Sequence, residues 1–208
     1  LPHGPIVNRP GFSFVRAVKT SSKKTRLIPF DFGVNQTFAV EIGEGYFRFH
    51  RNGATVALGS TPAAWNIGTS YVVGDLVLQS GVVYYAKLAH SGITPPNATF
   101  WHPLTTVGGL TLYECPNTYT EADIFDIHYA QSADVMTLVH PSYAPRELRR
   151  FADTNWTLTV VSFAATLSGP ATVTLTDSLP AGSTGNVDFF TYKVTSIDGN
   201  GNESIATA

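Results

Sequence analysis

The sequence predicts a mainly β protein built of small modules, and three observations carry that expectation. Charged residues make up only 13% of the 208 residues while aromatics reach 12%, with 9 Tyr and 13 Phe. That balance favours half-buried pleated sheets over long solvated helices. The 18 Gly and 13 Pro fall at short intervals between apolar runs, the punctuation of short strands joined by turns. Where the runs are long they alternate with a period of two, Phe190, Tyr192 and Val194 on one face and Thr191, Lys193 and Thr195 on the other.

Taken in order, residues 1–60 read as a meander with strands at 12–18, 26–32, 38–42 and 46–50. Asn52-Gly53 after the last of these is the strongest short hairpin signal, and Gly43-Glu44-Gly45 marks a second hairpin. Composition shifts at Ser60-Thr61-Pro62, and a compact aromatic segment runs from Trp65 to about Leu104. It reads as an inserted module of three short strands, at 71–73, 76–78 and 82–86, whose Trp65, Tyr71 and Trp101 are needed to supply so small a core. A strand at 110–114 then resumes the first sheet. Thr120-Glu121-Ala122-Asp123 is a capping-box variant, and Ile124, Ile127 and His128, flanked by Phe125 and Tyr129, extend it into the one helix the sequence predicts. Residues 135–140 read as a strand ended by Pro141. From Asn155 the pattern changes to a β-sandwich of immunoglobulin or fibronectin type, with strands at 156–161, 171–175, 187–194 and 204–207.

Charge and cysteine content narrow the partners. A net charge of −2 with 13 Lys plus Arg provides no electrostatic footprint for sequence-specific nucleic acid binding. The run Lys19 to Arg26 is short and reads as a solvated turn. A lone Cys115 cannot staple the chain, which fits assembly in a reducing cytoplasm. No stretch approaches the roughly 18 apolar residues of a membrane span, and no leader pattern precedes the first module. The start at Leu1 rather than Met leads one to expect a longer parent protein.

Few residues are arranged for chemistry. The six histidines, at positions 3, 50, 90, 102, 128 and 140, lack metal-ligand spacing. Asp126 and His128 stand two apart on the expected helix and face differently. Asp198-Gly199-Asn200-Gly201-Asn202 lacks the glycine and the distal glutamate of a calcium loop, so a hairpin turn is the better reading. No nucleophile elbow, phosphate-cradling loop or zincin motif is present, and Cys115 reads as an inert apolar residue. Glu114, Glu121, Asp123 and Asp126 are the carboxylates from which a glycosidase pair would be drawn. The expectation is a non-enzyme with no catalytic residue, no cofactor and no metal.

Local motifs in a fixed order resemble a family of tail proteins of short-tailed bacteriophages. Leu1-Pro2-His3-Gly4 leads to Asn8-Arg9-Pro10-Gly11, then Ser21-Ser22-Lys23-Lys24-Thr25-Arg26-Leu27-Ile28-Pro29-Phe30. Tyr46-Phe47-Arg48-Phe49 and Arg51-Asn52-Gly53 follow. After the insertion come Tyr119 to Asp123, Gln131-Ser132-Ala133-Asp134-Val135, His140-Pro141 and Pro145-Arg146-Glu147-Leu148. The resemblance implies a tubular or nozzle component forming a ring at the distal end of the tail, with other tail subunits as partners. The insertion resembles the small chitin- and cellulose-type carbohydrate-binding modules, through Trp65, Tyr71, Gly74-Asp75, Gly81, Val83-Tyr84, Ala86, His90 and Trp101. That likeness implies aromatic rings stacking on sugars, and it makes Tyr84, Tyr85 and Trp101 the candidate carbohydrate-binding residues. For Trp101, as for Trp65 and Tyr71, the need for a core is the favoured reading. The C-terminal segment resembles a fibronectin type III domain through residues 192–198 and 201–204.

The combined expectation is a discontinuous β-rich domain, 1–60 with 105–154, carrying one short helix. An insertion at 61–104 and a sandwich at 155–208 complete it. Its expected role is structural, in a homo-oligomeric ring of a virion tail assembled in the host cytoplasm, with the insertion touching host-surface polysaccharide. The alternative is a fragment of a secreted glycan-active enzyme with an accessory binding module.

Overall fold

A computed structural model describes residues 11, 13–33, 36–162, 167–170 and 193–206. The chain divides into two compact units, Leu1–Val161 and Ser162–Ala208. Among the described residues the first contains sixteen strands and no helix.

The meander comprises β1 (Arg26–Gly33), β2 (Gln36–Gly43), β3 (Tyr46–Arg51) and the short β4 (Ala54–Thr55). Both expected hairpins form. Asn52 and Gly53 take φ of 52° and 73°, the pair of positive values that a tight turn matched to strand twist requires. The insertion contributes β5 (Ser70–Tyr71), β6 (Leu76–Gln79), β7 (Val82–Ala86), β8 (His90–Ser91) and β9 (Trp101–Pro103). A small hairpin, β10 (Thr106–Val107) with β11 (Leu110–Thr111), leads to β12 (Glu114–Pro116), which pairs antiparallel with β3. The sheet order is therefore β1-β2-β3-β12. A second antiparallel sheet runs β13 (His128–Ser132), β14 (Val135–His140), β15 (Tyr143–Ala152) and β16 (Asn155–Val160) in sequence order.

The two larger sheets meet in a sandwich-like arrangement. Ile28, Phe30, Phe38, Val40, Ile42, Phe47 and Phe49 form the apolar face of the first, Met136, Leu138, Leu148 and Trp156 that of the second, and together they make one core. Trp156 is its centre. The indole stacks on Phe49 at 4.0 Å between centroids and takes Phe30 and Phe38 edge-on at 4.7 and 5.4 Å, geometries that suit the ring quadrupole.

The outer edge of β1 is closed against further strands. Pro29 has no N–H to offer. Asp31 gives its N–H to Gln131 Oε1 at 3.1 Å and receives Gln131 Nε2 on its carbonyl at 2.7 Å. One Arg26 nitrogen donates to the carbonyls of Ile124, Phe125 and Ile127. A side-chain amide thus does what a neighbouring strand would do, and blunts an edge otherwise open to aggregation.

Several expectations are corrected. The helix after Thr120 is a pair of successive turns: Asp123 N–H bonds Thr120 O at 3.1 Å and Asp126 N–H bonds Asp123 O at 3.0 Å. The Thr120 hydroxyl donates to the Asp123 carboxylate at 2.7 Å instead of accepting a backbone N–H. Without that cap so short a segment does not propagate as helix, and His128 and Tyr129 open β13 instead. The described residues of the expected strand at 12–18 form no ladder. The strand Asn155–Val160 pairs along β15 and belongs to the first unit, so the second begins after it rather than at Asn155.

In the second unit the expected strands at 171–175 and 187–194 lie almost wholly outside the described residues. What is described includes an antiparallel bridge, Ile197 with Glu203. It spans a turn in which Asp198 accepts from the N–H groups of Asn200 and Asn202 and from the Asn202 amide. The Asp198 carboxylate caps its own turn, as the hairpin reading expected.

Candidate functional site

The insertion is two-faced, and this decides where its aromatics lie. On β6 and β7 alternate residues point opposite ways. Val77, Tyr84 and Ala86 join Tyr71 and Trp101 in a local cluster, while Val83 and Tyr85, with Leu76 and Leu78 against them, join the core of the main sandwich. Tyr84, Tyr85 and Trp101 are 8%, 1% and 2% exposed. None of the three offers a ring face to a sugar from solvent. Trp101 Nε1 donates to Ile93 O at 2.8 Å and its ring meets Tyr71 edge-on.

Tyr85 has a different task. Its hydroxyl donates to Trp156 O at 2.8 Å. Tyr113 donates to the same carbonyl at 3.2 Å and accepts from Trp156 N–H at 2.7 Å. The two phenols complete the edge of β16 where no strand pairs with it. Cys115 lies beside them, its Sγ 3.8 Å from the Tyr85 hydroxyl, and burial pushes its thiol up to about 12, far from the thiolate that nucleophilic chemistry requires.

The densest charged constellation is a layer on the opposite face of the first sheet. Cross-strand register places Glu41 of β2 beside Arg48 of β3, and Arg48 beside Glu114 of β12. All three are buried. Arg48 reaches Glu114 Oε1 through Nε at 2.9 Å and Nη2 at 2.8 Å. The other Glu114 oxygen takes Lys19 Nζ at 2.6 Å and His102 Nε2 at 3.3 Å. Glu41 accepts from Tyr46 OH at 2.6 Å and lies 3.0 Å from His50 Nε2. This layer ties the segment before β1, the sheet and the insertion together through one carboxylate.

Its electrostatics set what it can do. Burial alone would raise the Glu114 carboxyl, but the His102 hydrogen bond and the Lys19 and Arg48 charges outweigh it and hold it at about 2. For Glu41 burial is likewise outweighed, by His50, Tyr46 and Arg48, and its carboxyl also falls. Tyr46 moves up, through burial and the adjacent Glu41. A general acid needs a carboxyl pushed towards neutrality, so both acids are fixed anions.

Of the remaining carboxylates considered for a glycosidase pair, Asp123 and Glu121 are engaged in local hydrogen bonds. Asp123, held at about 2 by hydrogen bonds from Tyr143 and Thr120, serves the turn. Glu121 accepts from Lys24 N–H at 2.9 Å, and Glu44, which pairs with Lys23, accepts from Glu121 N–H at 3.2 Å. Among the described residues no three His, Cys, Asp or Glu side chains converge to hold a metal.

One of several concavities among the described residues lies against Tyr85. A half-open groove of about 670 Å³ lies between the insertion and the main body, walled by Val73, Leu88, Pro116, Leu158 and Val160, with Lys87 and Arg146 also lining it. Lys87 is isolated from other charges in sequence and Arg146 enters there only as part of a motif; only the fold brings them to one groove. The Glu41–Arg48–Glu114 row, by contrast, has a sequence signal. A two-residue turn at Glu44-Gly45 fixes Glu41 opposite Arg48, two charges inside otherwise apolar alternation.

These features define a β-rich, sandwich-like protein held by an aromatic core and a buried ionic layer. Neither a protein-family model nor a curated protein matches the chain.

Proposed function

We propose that the chain is a non-catalytic structural component of a bacteriophage tail, working through assembly with neighbouring tail subunits. The observation that carries this reading is the ordered set of motifs resembling those of short-tailed phage tail proteins, together with what those motif residues do. Lys24 bonds Glu121, Arg26 holds the turn at 124–127, Gln131 closes the edge at Asp31, and His140 lies 3.8 Å from Asp123. Lys24 with Glu121 and His140 with Asp123 are contacts between two motifs, and Arg26 and Gln131 fasten their motifs to neighbouring segments; these residues serve as scaffold. The Asp123 carboxylate, drawn down by hydrogen bonds from Tyr143 and Thr120, suits a permanent anion better than proton transfer. Exposed Leu27, Phe125, Tyr129 and Phe151 supply apolar surface for subunit contacts.

Contact of the insertion with host polysaccharide, a finer part of this reading, would fall to its outer side chains, Ile67, Val72 and Leu88, rather than to the three buried rings. The test is assembly of the whole chain. Native mass spectrometry and negative-stain microscopy should show closed rings of one size. A monomer at every concentration would sink the ring. Release of reducing sugar from bacterial envelope polysaccharide would replace the reading with the glycan-active enzyme.

A further inference from the structure

The groove between the insertion and the main body carries two cations, Lys87 and Arg146, that no carboxylate of its described lining neutralises. Its walls are mainly apolar, with Thr99, Asn117, Thr118 and Thr159 as the uncharged polar residues among those described. Lys87 Nζ donates to Ala98 O at 2.7 Å but forms no ion pair among the described residues. Arg146 is the less satisfied of the two. Its guanidinium carbon lies 5.9 Å from the centroid of the Tyr119 ring, its buried Nε has no hydrogen-bond partner, and the buried Tyr119 hydroxyl lacks one as well. Every other arginine of β15 has an anion: Arg149 pairs with Glu147, and Arg150 with Asp134 and Asp153. A buried donor left unpaired is costly, and a guanidinium fork matches a carboxylate in both geometry and charge.

We propose that this groove binds a small amphiphile, an apolar chain ending in one carboxylate, with the carboxylate on Arg146 and Lys87 and the chain along Val73, Leu88, Pro116 and Leu158. The volume lies within the roughly 300–1,000 Å³ of small-molecule sites. The apolar walls supply the binding energy by removing chain surface from water. The two cations set the orientation and reject neutral chains. Tyr85 forms part of the lining while its hydroxyl remains committed to Trp156, so an occupant meets a wall anchored to the core.

The test is titration of the whole chain with decanoate by calorimetry and by ¹H–¹⁵N chemical-shift mapping. Saturable binding should move amides of residues 87–88, 98–99, 117–118 and 158–160. Arg146→Gln should weaken it by about tenfold, the loss of one charge-assisted pair, and decanol should bind more weakly than decanoate by a similar factor. Ala98→Trp, at an exposed wall position, should block binding while leaving thermal unfolding unchanged, which separates occupancy from folding. Three results overturn the proposal: no saturable binding at millimolar decanoate, binding indifferent to both substitutions, or capture of an acidic apolar peptide such as acetyl-Val-Leu-Asp-Val but not of decanoate. The last would assign the groove to polypeptide.

Discussion

Two phenols support one backbone residue, and removing them separately and together tests whether β16 is held as described. Trp156 is wholly buried, its carbonyl accepts from Tyr85 and Tyr113, and its N–H depends on Tyr113. Tyr85→Phe removes one of two donors to a carbonyl that keeps the other, a net loss of about 1 kcal/mol. Tyr113→Phe removes the weaker donor and also strands a buried N–H, which adds the desolvation of an unpaired group and brings the loss to about 2–3 kcal/mol. The double variant leaves the carbonyl with neither donor, so its loss should exceed the sum of the singles by about 1 kcal/mol. For a unit of this size each kcal/mol moves the melting midpoint by about 2–4 °C. Urea unfolding followed by Trp fluorescence, with a thermal melt alongside, provides the three values. Strict additivity, or a loss at Tyr85 equal to that at Tyr113, would refute the idea that both phenols share this carbonyl.

Three further outcomes follow from the packing. Glu114 falls from an ordinary 4.5 to about 2 in the fold, so it contributes stability above pH 4.5, roughly 3 kcal/mol, that drains away as pH drops towards 2. Glu114→Gln should therefore be less stable than the parent at pH 7, and circular dichroism melts should show the gap narrowing between about pH 5 and 2.5; a constant gap contradicts the assignment. A methyl group at Gly43 would overlap the Tyr46 ring, which burial and its bond to Glu41 hold in place, so Gly43→Ala should cost about 1–3 kcal/mol in chemical denaturation. Excised residues 61–104 should give a collapsed amide spectrum, because Val83 and Tyr85 of that segment belong to the core of the rest; dispersed resonances would show that it folds alone.

Much of the first sheet was legible because its signals are local. The turn at Gly43-Glu44-Gly45, the Asn52-Gly53 pair and the alternation of Phe38, Val40 and Ile42 fix hairpins without reference to anything distant. The second sheet was half hidden. The strand Tyr143–Ala152 carries Pro145, Glu147 and three arginines, which break the apolar alternation that would mark it in sequence. His128–Ser132 is an exposed edge strand whose two isoleucines just upstream imitate a helical stripe. The role of Tyr85 was illegible for a related reason. A small segment rich in aromatics looks self-sufficient, and nothing in it shows that alternate residues of Val82–Ala86 serve two different cores.

The buried charged row has a physical consequence beyond its own bonds. A purely apolar sheet face tolerates a shifted partner strand, because one aliphatic pair resembles the next. Here a slip of one residue between β2 and β3 would set Glu41 against Phe47, turn Phe49 towards the ionic layer, and leave Arg48 and Glu114 without their partners. Breaking a single buried pair costs about 3–5 kcal/mol, and a slip breaks several while reversing both faces. The same row ties in two segments distant in sequence, through Lys19 and His102 on a single Glu114 oxygen. Two aliphatic residues in place of Glu114 and Arg48 could match the packing of the row but could not specify which segments meet there.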